Sequence, residues 1–144
     1  MILQSLEKNV RPGDRVLDYG CGSGILAITA AKLGAREVAA VDVDPQALEA
    51  TTANAEANGV RLHVSSPESL SAGTYDVVLA NILAGPLIAL APSLAARTRK
   101  GGRVRLSGIL QTQAAEVAAA DANDFDVAVS ALDEGWALVE GMRR

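Results

Sequence analysis

The chain has 144 residues, 49% of them hydrophobic and 21% charged, with a formal net charge of −4. This is the balance of a globular domain with room for one sizeable core, and the acidic excess argues against tight binding to a nucleic-acid backbone. One cysteine and one histidine exclude a disulfide framework and a metal cluster, no apolar run is long enough for a membrane span, and the start lacks a signal-peptide pattern.

Strand and helix signals alternate along the chain, which predicts an α/β fold with a mostly parallel sheet. Residues 2–9 read as a short helix stopped by Arg11-Pro12-Gly13, and residues 15–19 as the first strand. Residues 25–33 are apolar nearly all round, a helix packed on a sheet, and Gly34 ends it. The second strand spans 37–42. Asp44-Pro45 then opens a helix, with Asp as N-cap and Pro at the first helical position. That helix carries Leu48, Thr51 and Ala55 on one face and stops at Asn58-Gly59. Residues 60–64 and 75–80 are the third and fourth strands, the latter an apolar run typical of a central parallel strand. Residues 83–97 are helical, with a Pro92 expected to kink or split the helix. Lys100-Gly101-Gly102 is a turn, 103–107 a fifth strand and 111–120 an alanine-rich helix. Residues 125–131 and 136–141 form a closing hairpin around Asp133-Glu134-Gly135. The sum is seven strands in one domain over residues 1–144, without internal repeats.

The most informative segment is residues 16–24, V-L-D-Y-G-C-G-S-G. It reads as a buried strand, a glycine turn through Gly20, Gly22 and Gly24, and a helix start whose unpaired N–H groups face the same space. A dinucleotide fingerprint is G-x-G-x-x-G, with pyrophosphate on the helix N-terminus. Here the spacing is D-x-G-x-G-x-G, and Asp18 would repel a phosphate and attract a cation. S-adenosylmethionine has an ammonium, a sulfonium and no phosphate, and fits this turn. Asp18 can brace the turn through backbone N–H groups, contact the cofactor ammonium, or do both.

Asp42 stands 22 positions after Gly20 at the end of the second strand. An acid about 20 residues after such a turn accepts hydrogen bonds from ribose hydroxyls. Asp44 is better explained as a helix cap. Asn81 follows the fourth strand, at the end of a parallel sheet where ligands bind. Its carbonyl can accept from a substrate amine and aim the nitrogen lone pair at a methyl group. Cys21 sits beside a helix start without a partner for catalysis, so a backbone or packing role in the turn suits it. His63 reads as a surface residue and Trp136 as core or hairpin cover. Ser107-Gly108 at the fifth strand end is a candidate substrate contact, and Pro67-Glu68-Ser69 is either a loop or a rest for adenine.

Four segments taken in order, V-L-D-Y-G-C-G-S-G-I-L-A-I, A-V-D-V-D-P-Q-A-L, V-V-L-A-N-I-L-A-G-P-L and L-S-G-I-L, resemble the bacterial ribosomal protein L-eleven methyltransferases of the PrmA type. The glycine turn marks only a class I methyltransferase; the second pair of segments is more specific. The resemblance implies a Rossmann-like, seven-stranded, mostly parallel sheet with an antiparallel last strand and helices on both faces. It implies transfer of methyl groups from S-adenosylmethionine to lysine side chains and the N-terminal amine of one large-subunit ribosomal protein; the single cysteine, for its part, suits a reducing cytoplasm. It places the Gly20 backbone at the cofactor, Asp42 at the ribose and Asn81 between cofactor and amine; with the turn as read from its residues, the expected cofactor set is Asp18, Gly20, Cys21, Gly22, Gly24, Asp42 and Asn81. Family members also carry an N-terminal substrate-recognition domain and a Thr-, Gly- and His-rich segment upstream, neither of which matches this sequence. The expectation is therefore a catalytic domain that binds cofactor weakly by itself. A methyltransferase for another protein or a small molecule, a nicotinamide-binding domain, and a fragment that folds without activity are the competing readings.

Overall fold

The computed structural model describes residues 2–144. Leu3–Gly73 forms one compact unit and Thr74–Arg144 a second.

After the opening helix α1 (Ile2–Asn9), the first unit has three parallel strands, β1 (Arg15–Tyr19), β2 (Glu37–Val41) and β3 (His63–Ser65), in the order β3-β2-β1. Parallel strands need crossovers, supplied by α2 (Ile25–Lys32) and α3 (Pro45–Ala57). The register puts Asp18 opposite Ala40 and Tyr19 opposite Val41, and the Arg15–Glu37 ion pair (2.9 Å) closes its start. Val16, Leu17 and residues 38–41 are buried, as a covered parallel strand requires. Both helices end in the same device. In α2 the Gly34 N–H donates to the Ala31 carbonyl and the Ala35 N–H to that of Ala30; in α3 Gly59 donates to Glu56 and Val60 to Ala55. These are Schellman caps. The second one explains why the strand expected over 60–64 begins only at His63: the Val60 N–H still belongs to the helix.

The second unit has β4 (Tyr75–Asn81), β5 (Thr98–Leu110), β6 (Phe125–Asp133) and β7 (Trp136–Arg143), in the order β4-β5-β7-β6. The β4–β5 pair is parallel, and β7 runs antiparallel to both β5 and β6. Thus the last strand opposes the others in its unit. Helix α4 (Ala84–Arg97) joins β4 to β5; a 3₁₀ turn (Gln111–Gln113) and α5 (Ala114–Asp121) join β5 to β6. Helix α4 runs unbroken through Pro92 rather than splitting there. Its buried stripe, Leu87, Ala91, Leu94 and Ala95, continues across the proline, and that burial offsets the lost Ile88 hydrogen bond. The expected turn at Lys100-Gly101-Gly102 lies within β5 as a break in register, between the pairs Tyr75–Thr98 and Val77–Arg103. The hairpin turns at Glu134 and Gly135, both with positive φ, as a two-residue turn between twisted strands demands.

Candidate functional site

In the first unit the turn after β1 is held almost entirely by the chain itself. The Gly20 and Cys21 N–H groups both donate to the Val41 carbonyl (2.8 and 2.9 Å), and the Gly24 N–H donates to the Cys21 carbonyl (2.8 Å). The Gly22 N–H donates to Asp42 Oδ2 (3.0 Å). The expectation that the start of α2 offers unpaired amides is therefore corrected at Gly24, whose N–H is already bonded. A phosphate cradle needs such amides free and convergent. This turn spends four of them internally, which disfavours a phosphate ligand.

The glycines have different reasons. A Cβ built on Gly24 would lie 2.9 Å from Thr51 Cγ2, so Gly24 is required by the close approach of α3. At Gly22, with φ +54°, a Cβ would meet nothing within 4 Å, so the turn opens outward there. Thr51 and Asn54 were not singled out as site residues, yet they clamp the turn. Thr51, fully buried, donates to the Gly22 carbonyl (3.0 Å), and its hydroxyl lies 3.3 Å from the Cys21 thiol. Asn54 Nδ2 donates to the Ser23 carbonyl (2.8 Å). Their i, i+3 spacing on α3 was the available signal, since it puts both on one helix face. Burial raises the Cys21 thiol above its ordinary pKa, in keeping with packing and not with a reactive thiolate.

Asp42 follows β2 and links turn to helix. Its Oδ2 holds Gly22 and its Oδ1 accepts from the Asp44 N–H (2.9 Å). Each oxygen has two lone pairs, so one on each remains for a diol. Asp44 accepts from the Gln46 N–H (2.9 Å) and is the N-cap of α3. Asp18 is 1% exposed, and neither carboxylate oxygen has a hydrogen-bond partner of good geometry. Burial raises its pKa to about 7, the Ala27 N–H opposes the shift, and the Asp42 charge adds to it. A buried carboxyl with no side-chain partner, beside a turn that opens outward, has the chemistry to accept from a cationic group.

In the second unit Asn81 is the last residue of β4, within the strand and not after it, and it is exposed. It pairs in register with Ser107 of β5, which is buried. Gly108, next along β5, adopts φ +80°. His63 is exposed, as expected of a surface residue. Trp136 flanks the hairpin turn and is 46% exposed, so it is hairpin cover and not core. Residues Pro67–Ser69 form one 3₁₀ turn.

The model of one protein family, described as Ribosomal protein L11 methyltransferase (PrmA), matches residues 1–144. A protein of that name from Thiobacillus denitrificans is 54% identical over 144 residues, covering all of this chain and 49% of its own length. The chain thus spans about half the length of the curated relatives it matches. The crystal structure of a ribosomal protein L11 methylase from Lactobacillus delbrueckii is similar at 32% identity and a TM-score of 0.91, covering 98% of this chain and 76% of that one. A 16S rRNA methyltransferase from T. thermophilus, solved with AdoMet and guanosine, shares the fold at a TM-score of 0.84 and 20% identity, over 99% of this chain and 42% of that one.

Proposed function

Because the chain belongs to the ribosomal protein L11 methyltransferase (PrmA) family, with its Rossmann-like methyltransferase fold, we propose that it binds S-adenosylmethionine and transfers methyl groups to lysine and N-terminal amines of a large-subunit ribosomal protein in the cytoplasm. Residues 1–144 serve as one methyltransferase domain in this reading. The observation that carries it is Asp18: a buried, unpartnered carboxylate behind a glycine turn whose own amides are mostly spent. That pairing suits a cationic ligand without phosphate.

The residues fit such a cofactor on their own chemistry. Asp18 receives the ammonium, the turn of Gly20, Cys21, Gly22 and Gly24 offers backbone, and the remaining lone pairs of Asp42 take the ribose hydroxyls. When bound, S-adenosylmethionine supplies an electrophilic methyl group on a positively charged sulfur. The remaining work is to present a neutral amine in line with it. A lysine, with an ordinary pKa of about 10.4, costs about 4.6 kcal/mol to hold neutral at pH 7, whereas an α-amine near 7.8 costs only about 1 kcal/mol. Desolvation lowers the lysine pKa and reduces that cost. The Asn81 carbonyl accepts an amine N–H and orients the lone pair, and bulk water takes the proton.

Calorimetric titration of S-adenosylmethionine into the protein tests the first half, with a single saturable site as the expected result. Saturable binding of a nicotinamide dinucleotide in its place would overturn the reading. For the second half, Asn81→Ala in a protein active in methyl transfer is expected to lower turnover more than tenfold with folding and cofactor affinity intact. Unchanged turnover removes Asn81 from the mechanism.

A further inference from the structure

The side chain of Asn81 lies against a neighbour that carries no side chain. Two observations on β5 converge on it. First, the pairing of β5 with β7 slips between Leu106 and Ile109: Leu106 faces Val139 but Ile109 faces Ala137, so β5 gains one residue across Ser107-Gly108. This is a bulge, and Gly108 at φ +80° is the left-handed residue that such a bulge uses to bend a strand. Second, the bend brings the Gly108 backbone against the end of β4. A Cβ built on Gly108 would lie 2.8 Å from the Ile82 carbonyl oxygen, 3.0 Å from Asn81 Oδ1 and 3.2 Å from the Ile82 carbonyl carbon. The carboxamide oxygen and the following peptide therefore rest against a bare Cα.

We propose that Gly108 is a positioning residue for methyl transfer, its missing side chain forming the wall that fixes the Asn81 carboxamide oxygen. This rests on the reading of Asn81 as the amine-orienting residue. The physical reason is the steep dependence of an in-line displacement on geometry, in which a shift of about 1 Å costs about 10²-fold. A Cβ at Gly108 runs into the Ile82 carbonyl, which is backbone and cannot swing aside, and pushes the Asn81 carboxamide, the end of an exposed side chain, out of its place. The proposal also accounts for the S-G-I-L segment. Gly108 acts on the amine through Asn81 and need not touch it.

The test is Gly108→Ala in the active protein, with Gly135→Ala as the control for backbone strain alone. Gly135 has φ +86° and open space around its Cα, so it carries the same left-handed penalty without the contact. Gly108→Ala is expected to lower kcat at least tenfold while KM for the methyl donor stays within twofold; Gly135→Ala leaves both within twofold. In an Asn81→Ala background, adding Gly108→Ala is expected to change kcat by less than twofold. If Gly108→Ala does not fold, Gly108→Asn carries a Cβ on the residue that tolerates positive φ best, with the same expectation. Wild-type kcat in the folded Gly108 variant, or losses that multiply in the double variant, overturns the proposal while leaving Asn81 in place. Wild-type kcat in Asn81→Ala overturns the reading of Asn81 and this inference with it.

Discussion

Asp18 couples the site to pH. Burial raises its pKa to about 7, so near neutrality the carboxyl is part protonated, and a bound cation favours the charged form. Affinity for S-adenosylmethionine is therefore expected to rise as pH increases from 5.5 to 7.5, with proton release on binding in that window. Calorimetry in buffers of different ionisation enthalpy measures the released proton directly. Asp18→Asn is expected to bind several-fold more weakly at pH 7.5 and to lose the pH dependence; a variant retaining the wild-type profile would remove Asp18 from the linkage. The Asp42 carboxylate is held by two backbone N–H groups, from Gly22 and Asp44.

At the scale of elements, α3 has two separable functions. Its N-terminus is capped by Asp44, with Pro45 at the first helical position. Asp44→Ala is expected to cost about 1 kcal/mol of stability, read as a lowered denaturant midpoint, with cofactor affinity unchanged. Its middle clamps the glycine turn through Thr51 and Asn54. Thr51→Val keeps the shape and removes the hydroxyl bonded to the Gly22 carbonyl. A neutral hydrogen bond contributes about 1 kcal/mol, so a turn loosened by that amount weakens cofactor binding about fivefold. Thr51→Ser, which restores the hydroxyl, is expected to recover most of the affinity. Equal affinity in wild type and Thr51→Val would show that the turn holds without the clamp.

For the whole molecule, two buried carboxyls set how stability responds to pH. Asp18 stands at about 7. Asp121, at the end of α5 and 1% exposed, is raised to about 6, first by burial and then by the charge of Asp124. For both, the folded pKa lies above the value near 3.9 of an unfolded chain. Between those values the folded state binds more protons than the unfolded state, so stability falls as pH rises. The thermal midpoint of the free protein is expected to decline from pH 5 to pH 7.5, opposite in sign to the trend in cofactor affinity. Asp121→Asn should flatten the lower part of that decline. A midpoint that rises across this window contradicts the assignment of both groups.

The order of strands and helices, the cap at Asp44, the stop at Gly34 and the closing hairpin were legible in the sequence, because each rests on local rules: apolar runs, capping residues and turn glycines. The D-x-G-x-G-x-G spacing and Asp42 were legible for the same reason, since an acid before the turn and another at the next strand end are separated by one crossover. Other features depend on residues far apart in sequence. That Gly24 is bare for the sake of Thr51, that the turn amides are spent on Val41 and Asp42, and that Gly108 abuts Asn81 are contacts spanning roughly 20 to 30 positions. The same holds for β5, whose length is set by its pairing with β4 and β7, while Gly101 and Gly108 admit its two register breaks. Local chemistry named the glycine turn and the two acids that flank it. Long-range packing decided which glycine opens outward, which is filled by a neighbour, and which forms the wall behind the Asn81 carboxamide.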